Sequence, residues 1–304
     1  MKTLIVIAGP TGVGKTDISI DIAKHFNTQI ISADSRQIYE GLIVATAQPS
    51  AQQLTEVKHY MIGCKLVYEP YNAGKFEIEV IDILNTIFQN NQVALMVGGS
   101  GLYIDAVCNG IDDLPKTDFD LRNQLIQQFE NEGIESIRTM LKKLDPEYYN
   151  QVDLRNSKRI LKALEVSLLT GKPYSSFRTQ THKKRDFMII KIGFDRNREE
   201  LYERINKRVE IMVDDGLVDE ARKFWNDESA RKLNALNTVG YKELFAHFSG
   251  QLSLLEAIER IQANSRKYAR KQLTWFHRDK SIAWFHPNEK DSVIKYLNEK
   301  IASN

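Results

Sequence analysis

The sequence has very little cysteine and lacks any long apolar run. Only Cys64 and Cys108 are present among 304 residues, and they lie too far apart for a metal-binding or redox motif, which fits a reducing compartment. The longest apolar runs, such as residues 4–8, fall far short of the ~20 residues that a membrane span needs. The first residues contain one lysine and lead directly into strand-like sequence, so no cleavable signal is visible. We therefore expect a cytoplasmic protein that makes no membrane contact.

The composition is that of a globular chain. Hydrophobic residues make up 42% and charged residues 27%, which excludes a disordered or collagen-like protein. A length of 304 residues is consistent with one large domain or two smaller ones.

Positive charge is concentrated in two segments. Residues 155–186 carry nine Lys and Arg against two acidic residues, and residues 260–280 carry seven against one. The total charge is only +2, so the rest of the chain is acidic. This distribution indicates a polyanionic partner that touches the protein in two places, although solvated helix faces would give the same counts.

Strand and helix patterns alternate in the first hundred residues. Apolar runs typical of buried strands cover residues 3–8, 29–33 and 93–97, and helical patterns cover residues 15–25 and 73–89. This alternation predicts an α/β fold with a mainly parallel sheet flanked by helices. Ligands of such sheets bind at the carboxyl ends of the strands, so the residues that follow these strands should meet in one crevice.

Helical patterns dominate the middle of the chain, where residues 121–132, 134–144 and 156–169 show no strand between them. Further elements are then predicted as strands at 188–194 and 281–285 and as helices at 199–214, 217–225 and 254–276. We expect a core formed by residues 1–117 and 187–304, interrupted by a helical insertion domain at 118–186.

A phosphate-binding loop follows the first strand. Its residues match the pattern of two glycines five positions apart followed by Lys and Thr, with a strand before and a helix after. The matching residues are Gly9, Pro10, Thr11, Gly12, Val13, Gly14, Lys15 and Thr16. Backbone N–H groups and Lys15 would bind phosphate oxygens, and the Thr16 hydroxyl is placed to bind Mg²⁺. The loop does not reveal which molecule carries the phosphate.

Asp34 ends the second strand and should face the phosphate crevice. It could bind Mg²⁺ through water or act as a general base, and with Ser35 beside it a helix cap or turn is the alternative. His59 lies in a loop-like stretch, and we interpret it as a structural histidine.

An ordered series of motifs resembles the tRNA dimethylallyltransferases, also called tRNA isopentenyltransferases. The similarity runs through nearly the whole chain. Besides the loop, it comprises residues 32–39, 46–49, 97–103, 163–173, 204–209, 239–243 and 268–276. The loop alone is shared with unrelated NTPases, whereas the Asp34 block and the block Gln272-Leu273-Thr274-Trp275 are specific.

The resemblance implies a P-loop NTPase-like fold and a prenyl transfer reaction. The family transfers a dimethylallyl group from dimethylallyl diphosphate to N6 of the adenosine adjacent to the anticodon of tRNA. By this resemblance the loop would hold the diphosphate with Mg²⁺, and Asp34 would take the proton of the amine. Thr11 would position the amine or a diphosphate oxygen. Ser35, Arg36 and Gln37 would read a flipped adenine, because a Gln side chain can bond its edge at two points.

The resemblance also implies which residues contact the tRNA anticodon stem-loop. Ser100 and Arg122 fall at such positions. Lys158, Arg159 and Lys162 would meet phosphates from one helix face, and Arg266 and Arg270 from another. Arg204 and Arg208 could clamp the diphosphate or form ion pairs with nearby acidic residues, and we assign Arg208 to the diphosphate site. Tyr268 and Trp275 are better explained as core residues than as stacking platforms.

This sequence departs from the usual family pattern at several positions. Ala45 and Gln48 stand where Gly and Lys are usual, Lys162 stands where Arg is usual, and Ser100 stands where Thr is common. The chain ends soon after the Trp275 block, so we expect a bacterial-type enzyme without an appended zinc finger. Nothing in the sequence suggests an obligate dimer, and we expect a monomer.

Two other functions use the same loop. A small-molecule or nucleotide kinase would turn over ATP without nucleic acid, but it leaves both basic segments unexplained. An RNA-binding NTPase without transferase chemistry would hydrolyse ATP in response to RNA.

Overall fold

The computed structural model describes residues 1–178 and 182–303, and these divide into two compact units. The larger unit contains residues 1–108 and the chain from Lys184 onward, and the smaller unit contains Asn109–Lys183. The insertion predicted from the sequence was residues 118–186, so the observed unit begins earlier and ends slightly sooner.

One parallel sheet of six strands organises the described part of the larger unit. The strands are β1 (Thr3–Ala8), β2 (Ile30–Ala33), β3 (His59–Tyr60), β4 (Val93–Gly98), β5 (Met188–Phe194) and β6 (Ala283–Phe285), in the spatial order β3-β2-β4-β1-β5-β6. β1 lies inside the sheet between β4 and β5, and every pairing is parallel. The predicted α/β class with a parallel sheet is confirmed.

The helices follow in chain order. They are α1 (Lys15–His25), α2 (Ala51–Glu56), α3 (Ala73–Ile87), α4 (Gly101–Asn109), α5 (Phe119–Glu132), α6 (Ile134–Leu144), α7 (Pro146–Gln151), α8 (Ser157–Thr170), α9 (Arg198–Asp214), α10 (Leu217–Asn226), α11 (Tyr241–Phe248), α12 (Leu254–Phe276) and α13 (Lys290–Ala302). Short 3₁₀ helices cover Tyr174–Phe177 and Asn234–Leu236. Side-chain caps begin several of the helices: Asn72 caps α3, Asn156 caps α8, and Ser253 forms a capping box with Glu256 at α12.

Strongly patterned elements lie where the sequence places them. The strands 3–8 and 188–194 and the helices 15–25, 134–144 and 254–276 have their predicted ends, and the other predicted elements differ by one or two residues at an end. The prediction for His59 as part of a loop is wrong. His59 and Tyr60 form the edge strand β3, which is held by its pairing with β2. A strand of two residues is too short to be recognised from its own sequence pattern.

Each unit has its own hydrophobic core. In the larger unit, Ile5, Ile7 and Leu95 from the sheet pack with Ile22 of α1 and Ile205 of α9, and all five are buried. In the smaller unit, a separate cluster joins α5, α6 and α8, with Leu125, Ile137, Leu141, Ile160 and Leu164 at its centre.

Candidate active site

The carboxyl ends of three neighbouring strands are level with one another. Ala8 of β1 pairs with Gly98 of β4, and Gly98 pairs in turn with Ala33 of β2. The residues that follow these three positions begin the phosphate loop, the Asp34 turn and the segment Gly99–Ser100. The sheet register therefore brings the three predicted segments to one edge, as parallel topology requires.

The loop from Gly9 to Thr16 adopts a conformation that needs glycine. Gly12 and Gly14 have φ values of +80° and +101°, in the left-handed region, and Gly14 directly precedes the first turn of α1. The Lys15 ammonium donates hydrogen bonds to the carbonyl oxygens of Gly9 and Pro10, both at 2.8 Å. Lys15 thus lies inside the loop with its charge directed at the loop's own carbonyl groups.

Three arginines bind the same loop from outside, one between β5 and α9 and two on α9. Arg204 Nε donates to Gly12 O at 3.0 Å, and Arg196 Nε donates to Val13 O at 2.8 Å. Arg208 donates from Nη1 to the Thr11 hydroxyl at 3.1 Å. Arg196 also pairs with Glu200, whereas in the described part of the chain Arg204 and Arg208 form no ion pair with a carboxylate. The geometry therefore favours the clamp over the ion-pair alternative for Arg204 and Arg208.

Burial, with a smaller effect of neighbouring cations, lowers two pKa values in the cavity. Burial lowers the pKa of Lys15 to about 7, Arg208 acts in the same direction, and Asp34 opposes both. Burial also lowers the pKa of Arg208, with Asp34 again opposing and Arg204 adding to the effect. Excess positive charge held in a buried pocket is the arrangement expected for a polyanion site.

Asp34 forms a turn directly after β2. Its Oδ1 accepts the backbone N–H groups of Arg36 at 2.8 Å and Gln37 at 3.3 Å. The alternative interpretation, in which Asp34 stabilises a turn, is therefore correct for its Oδ1 atom. The same carboxylate lines the cavity and interacts electrostatically with Lys15 and Arg208, so the turn presents it to the phosphate loop.

The three residues after Asp34 are hydrogen-bonded to other parts of the protein. The Ser35 N–H donates to Ser100 Oγ at 2.9 Å, and Arg36 donates to the carbonyl oxygens of Asn234 and Ala235. The Gln37 amide accepts from Ser32 and donates to the carbonyl oxygens of residues 46 and 47, at 3.1 and 3.0 Å. The Gln37 amide could bond to an adenine only by giving up these hydrogen bonds.

A cavity wall formed by residues 45–49 is held by one buried carboxylate. Glu220 of α10 accepts the backbone N–H groups of Ile43, Val44 and Ala45 at 2.7–3.0 Å and the hydroxyl of Tyr241 at 2.7 Å. Gln48, at a position where the family usually has Lys, donates to backbone carbonyl groups of residues 37 and 42. The wall is thus fixed by the Glu220 carboxylate and by backbone contacts, and residues 45–49 add no positive charge to the cavity.

Helix α12 closes the site on its other side. Tyr268 lines the cavity and is 42% exposed, while burial of its hydroxyl end raises its pKa to about 12. Trp275 instead packs against Gly101 and donates from Nε1 to Asp105 at 3.0 Å. The interpretation as a core residue is therefore wrong for Tyr268, which faces the cavity one helical turn before Gln272. Trp275 is half-buried against the start of α4.

Together these segments enclose a cavity of about 840 Å³. Thr11, Lys15, Thr16, Asp34 and Arg208 all line it. The volume lies in the upper part of the range for ligand pockets, so the cavity has room for a diphosphate ester and a nucleobase.

The residues present fit a magnesium ion that takes part of its ligands from the protein and the rest from a bound phosphate. Thr16 and Asp34 supply a hydroxyl and a carboxylate to the same cavity. No cluster of three or more His, Cys, Asp or Glu suited to a metal ion occurs in residues 1–178 and 182–303. A metal here would depend on substrate oxygens, as Mg²⁺ commonly does.

The tRNA contacts predicted in the insertion lie on α5 and α8. Lys158 and Arg159 are exposed at the start of α8. Lys162 and Arg122 both bind the buried carboxylate of Glu165, at 3.2 and 2.8 Å. Two of these cations are therefore free to meet phosphates, and the other two are already paired with a buried charge.

The contacts predicted in the larger unit fall into two groups. Arg266 donates to Asn206 and Arg270 donates to the Tyr202 hydroxyl, so both lie along the face of α12 that meets α9. Ser100 is buried and accepts the Ser35 N–H, so it supports the Asp34 turn.

Sequence reasoning assigned no role to Glu220 or Gln272. The sequence indicates Gln272 only as part of a motif. No pattern around Glu220 distinguishes it from a surface residue. Burial of a polar side chain on the apolar face of α12 is the one signal that could have drawn attention to Gln272.

A parallel sheet whose first strand leads into a glycine-rich Lys-Thr loop and a cation-lined cavity defines a phosphate-binding protein of the P-loop class. The family model "IPP transferase" matches residues 37–279, and this chain belongs to that family.

Curated relatives match almost end to end. tRNA dimethylallyltransferase 1 of Phocaeicola vulgatus is 51% identical over 97% of this chain and 98% of its own length. tRNA dimethylallyltransferase 1 of Bacteroides fragilis is 50% identical over 99% of both chains. The family resemblance drawn from the motifs is confirmed.

Solved structures have the same fold. The tRNA isopentenylpyrophosphate transferase of Bacillus halodurans is 32% identical, with a TM-score of 0.73 over 100% of this chain and 98% of that one. The corresponding Staphylococcus epidermidis enzyme is 31% identical, with a TM-score of 0.71 over 100% of this chain and 99% of that one. Within the described residues, no helix combines the length and apolar character needed to cross a membrane.

Proposed function

We propose that this chain transfers a dimethylallyl group from dimethylallyl diphosphate to N6 of the adenosine adjacent to the anticodon in tRNA. The curated relatives are tRNA dimethylallyltransferases at about half identity over nearly their full length. The observation that carries the proposal is the shared cavity, in which the Asp34 carboxylate interacts with the buried cations Lys15 and Arg208.

The cations serve the leaving group. As the bond between the allylic carbon and the diphosphate oxygen breaks, its electron pair stays on the diphosphate. Lys15, Arg208 and the N–H groups at the start of α1 offset that developing charge. A magnesium ion bound by the Thr16 hydroxyl and the diphosphate would supply further charge neutralisation.

Asp34 serves the nucleophile. The N6 nitrogen forms the new bond to the allylic carbon, and its proton passes to the Asp34 carboxylate. The two backbone N–H groups on Oδ1 hold the carboxylate in place during this transfer. Thr11, whose hydroxyl accepts from Arg208, can still donate its own proton to the amine or to a diphosphate oxygen.

The tRNA must present an extruded base. An adenine edge stacked in the anticodon loop cannot reach a cavity at the end of a sheet, so the nucleotide is flipped toward Asp34. Exposed cations such as Lys158 and Arg159 then bind the anticodon stem-loop through its phosphates. Activity as a monomer in the cytoplasm is part of this proposal.

The test is transfer of labelled dimethylallyl from its diphosphate to unmodified tRNA in Mg²⁺, with ATP alone in a parallel reaction. We expect label in the adenosine beside the anticodon and no ATP turnover. Turnover of ATP without label would contradict the proposal and favour a kinase or an NTPase.

The Asp34 role is tested by two substitutions. Asp34→Asn keeps Oδ1 as acceptor for the two N–H groups but removes the base, whereas Asp34→Ala removes both. We expect transfer by Asp34→Asn to fall by roughly 10²–10⁴-fold with tRNA binding unchanged. Wild-type transfer by Asp34→Asn would show that Asp34 only forms the turn.

A further inference from the structure

Gln272 of α12 bridges two segments of the site with both ends of its amide. Its Oε1 accepts the backbone N–H of Thr11 at 2.9 Å, and its Nε2 donates to the carbonyl oxygen of Gly99, also at 2.9 Å. The side chain is only 6% exposed. A buried amide with donor and acceptor both satisfied has one orientation, so the bridge is rigid.

The bridge requires a residue without a side chain opposite it. A Cβ at Gly99 would lie 2.2 Å from Gln272 Nε2, so the amide would have to leave its present position. The close approach of α12 to the end of β4 is therefore built into both residues.

One end of the bridge fixes the phosphate loop. The N–H of Thr11 is bonded to Gln272, and its hydroxyl is bonded to Arg208 at 3.1 Å. Because these contacts hold the backbone and the side chain of Thr11 from opposite sides, its hydroxyl has a defined position. The Thr11 N–H is also withheld from phosphate, which leaves the later N–H groups of the loop for the diphosphate.

The other end fixes the Asp34 turn. Ser100, which follows Gly99, donates its N–H to Ala33 O at 3.2 Å and accepts the N–H of Ser35 on its Oγ at 2.9 Å. These two contacts lie on either side of Asp34. A continuous chain of hydrogen bonds thus runs from Thr11 through Gln272 to the residues that flank Asp34.

We propose that Gln272 is a positioning residue that sets the separation between the phosphate loop and the Asp34 turn. The inference rests on the proposed function, because the allylic carbon arrives with the diphosphate on one side and the amine arrives at Asp34 on the other. Gln272 orders both segments through Thr11 and Gly99. A misplacement of about 1 Å between reacting groups costs on the order of 10²-fold in rate.

Two substitutions separate the bridge from simple packing. Gln272→Met keeps the volume and removes both hydrogen bonds. Gln272→Glu keeps the acceptor for Thr11 but opposes the Gly99 carbonyl with a second oxygen when ionised. The matched control is Gln262→Met on the same helix, where the amide donates to Asn206 O at 3.3 Å, outside the bridge.

The measurement is single-turnover transfer with both substrates saturating, alongside the dissociation constants of dimethylallyl diphosphate and tRNA. We expect Gln272→Met to lower the transfer rate by roughly 30–100-fold while each dissociation constant changes less than about threefold. Gln262→Met should transfer at the wild-type rate. Equal rates for Gln272→Met and wild type would overturn the proposal.

Gln272→Glu adds a readout that lost stability alone would not give. A protonated carboxyl has a donor and an acceptor, as the amide has, so its rate relative to wild type should rise as the pH falls from 8 to 6. Lys15, Asp34, Arg208 and Tyr268 line the same cavity, and dividing by the wild-type rate at each pH removes their titration. A ratio that does not change with pH would contradict the bridge.

Hydrogen exchange tests the bridge without any chemistry. The Thr11 amide should be protected in the wild type and exchange at least tenfold faster in Gln272→Met, with the amides of β1 unchanged. Faster exchange with no transfer by the wild type would refute the proposed function and keep the bridge. Unchanged exchange at Thr11 would refute the bridge itself.

Discussion

Binding of the diphosphate should be accompanied by uptake of a proton at Lys15. The pKa of Lys15 is lowered to about 7 by burial and by Arg208, so above pH 7 the free protein holds mostly neutral amine. Diphosphate oxygens bring negative charge beside the ammonium and restore its ordinary preference for the charged form. Binding therefore takes up protons at alkaline pH and not at acid pH.

The size of the effect follows from a pKa near 7. At pH 8 about one tenth of Lys15 is charged before binding, so uptake should approach 0.9 proton, falling to about 0.1 proton at pH 6. The affinity should weaken by roughly tenfold between pH 6 and pH 8, which corresponds to about 1.4 kcal/mol. Over this range the pKa of an exposed lysine, near 10.4, would give neither change.

Isothermal titration calorimetry measures the uptake directly. Dimethylallyl diphosphate is titrated at pH 8 in two buffers with different ionisation enthalpies, under conditions where the ligand's own terminal phosphate is deprotonated. The slope of observed enthalpy against buffer enthalpy gives the number of protons, and Lys15→Met should abolish it. Tight binding at pH 8 with less than about 0.2 proton taken up would refute the reasoning.

Two further predictions concern the wall of the cavity and the insertion. Glu220→Gln should lower the free energy of unfolding by roughly 2–3 kcal/mol, because an NH₂ group replaces an oxygen that receives backbone N–H groups. Urea denaturation measures this, and Asp219→Asn at the exposed neighbouring position should cost less than about 1 kcal/mol. Lys158→Ala combined with Arg159→Ala should weaken tRNA binding and reduce the slope of log affinity against log salt by about 1–2. An unchanged salt slope in a filter-binding series would mean that neither cation meets a phosphate.

Periodicity predicted most of the sheet and the long helices. β1 is fully buried and, apart from Thr3, apolar, and β5 is apolar apart from Lys191. α6 and α12 carry apolar residues at helical spacing, and Ser253 caps α12. The phosphate loop was predictable because glycine is required at the positive φ values of Gly12 and Gly14. Local chemistry was enough in each of these cases.

Contacts between distant parts of the chain were not predictable in the same way. β3 has only two residues and is a strand because it pairs with β2. Gln272 accepts a hydrogen bond from the Thr11 N–H, which lies 261 positions away in the sequence. Gln37 illustrates the limit in the site itself, since its residue type suits an adenine edge but its amide is bonded to Ser32 and the cavity wall. No local pattern specifies which partner such a side chain finds.

The level ends of β1, β4 and β2 make the strand register part of the catalytic geometry. A slip of one residue between β2 and β4 would move Asp34 by about 3.3 Å along the sheet, several times the error that a reacting pair tolerates. Any side chain at Gly98 would force the two strands apart, because a Cβ there would lie 2.1 Å from Ala33 O. The spacing between two strands therefore sets which residue the end of β4 can hold, and through it the position of Asp34.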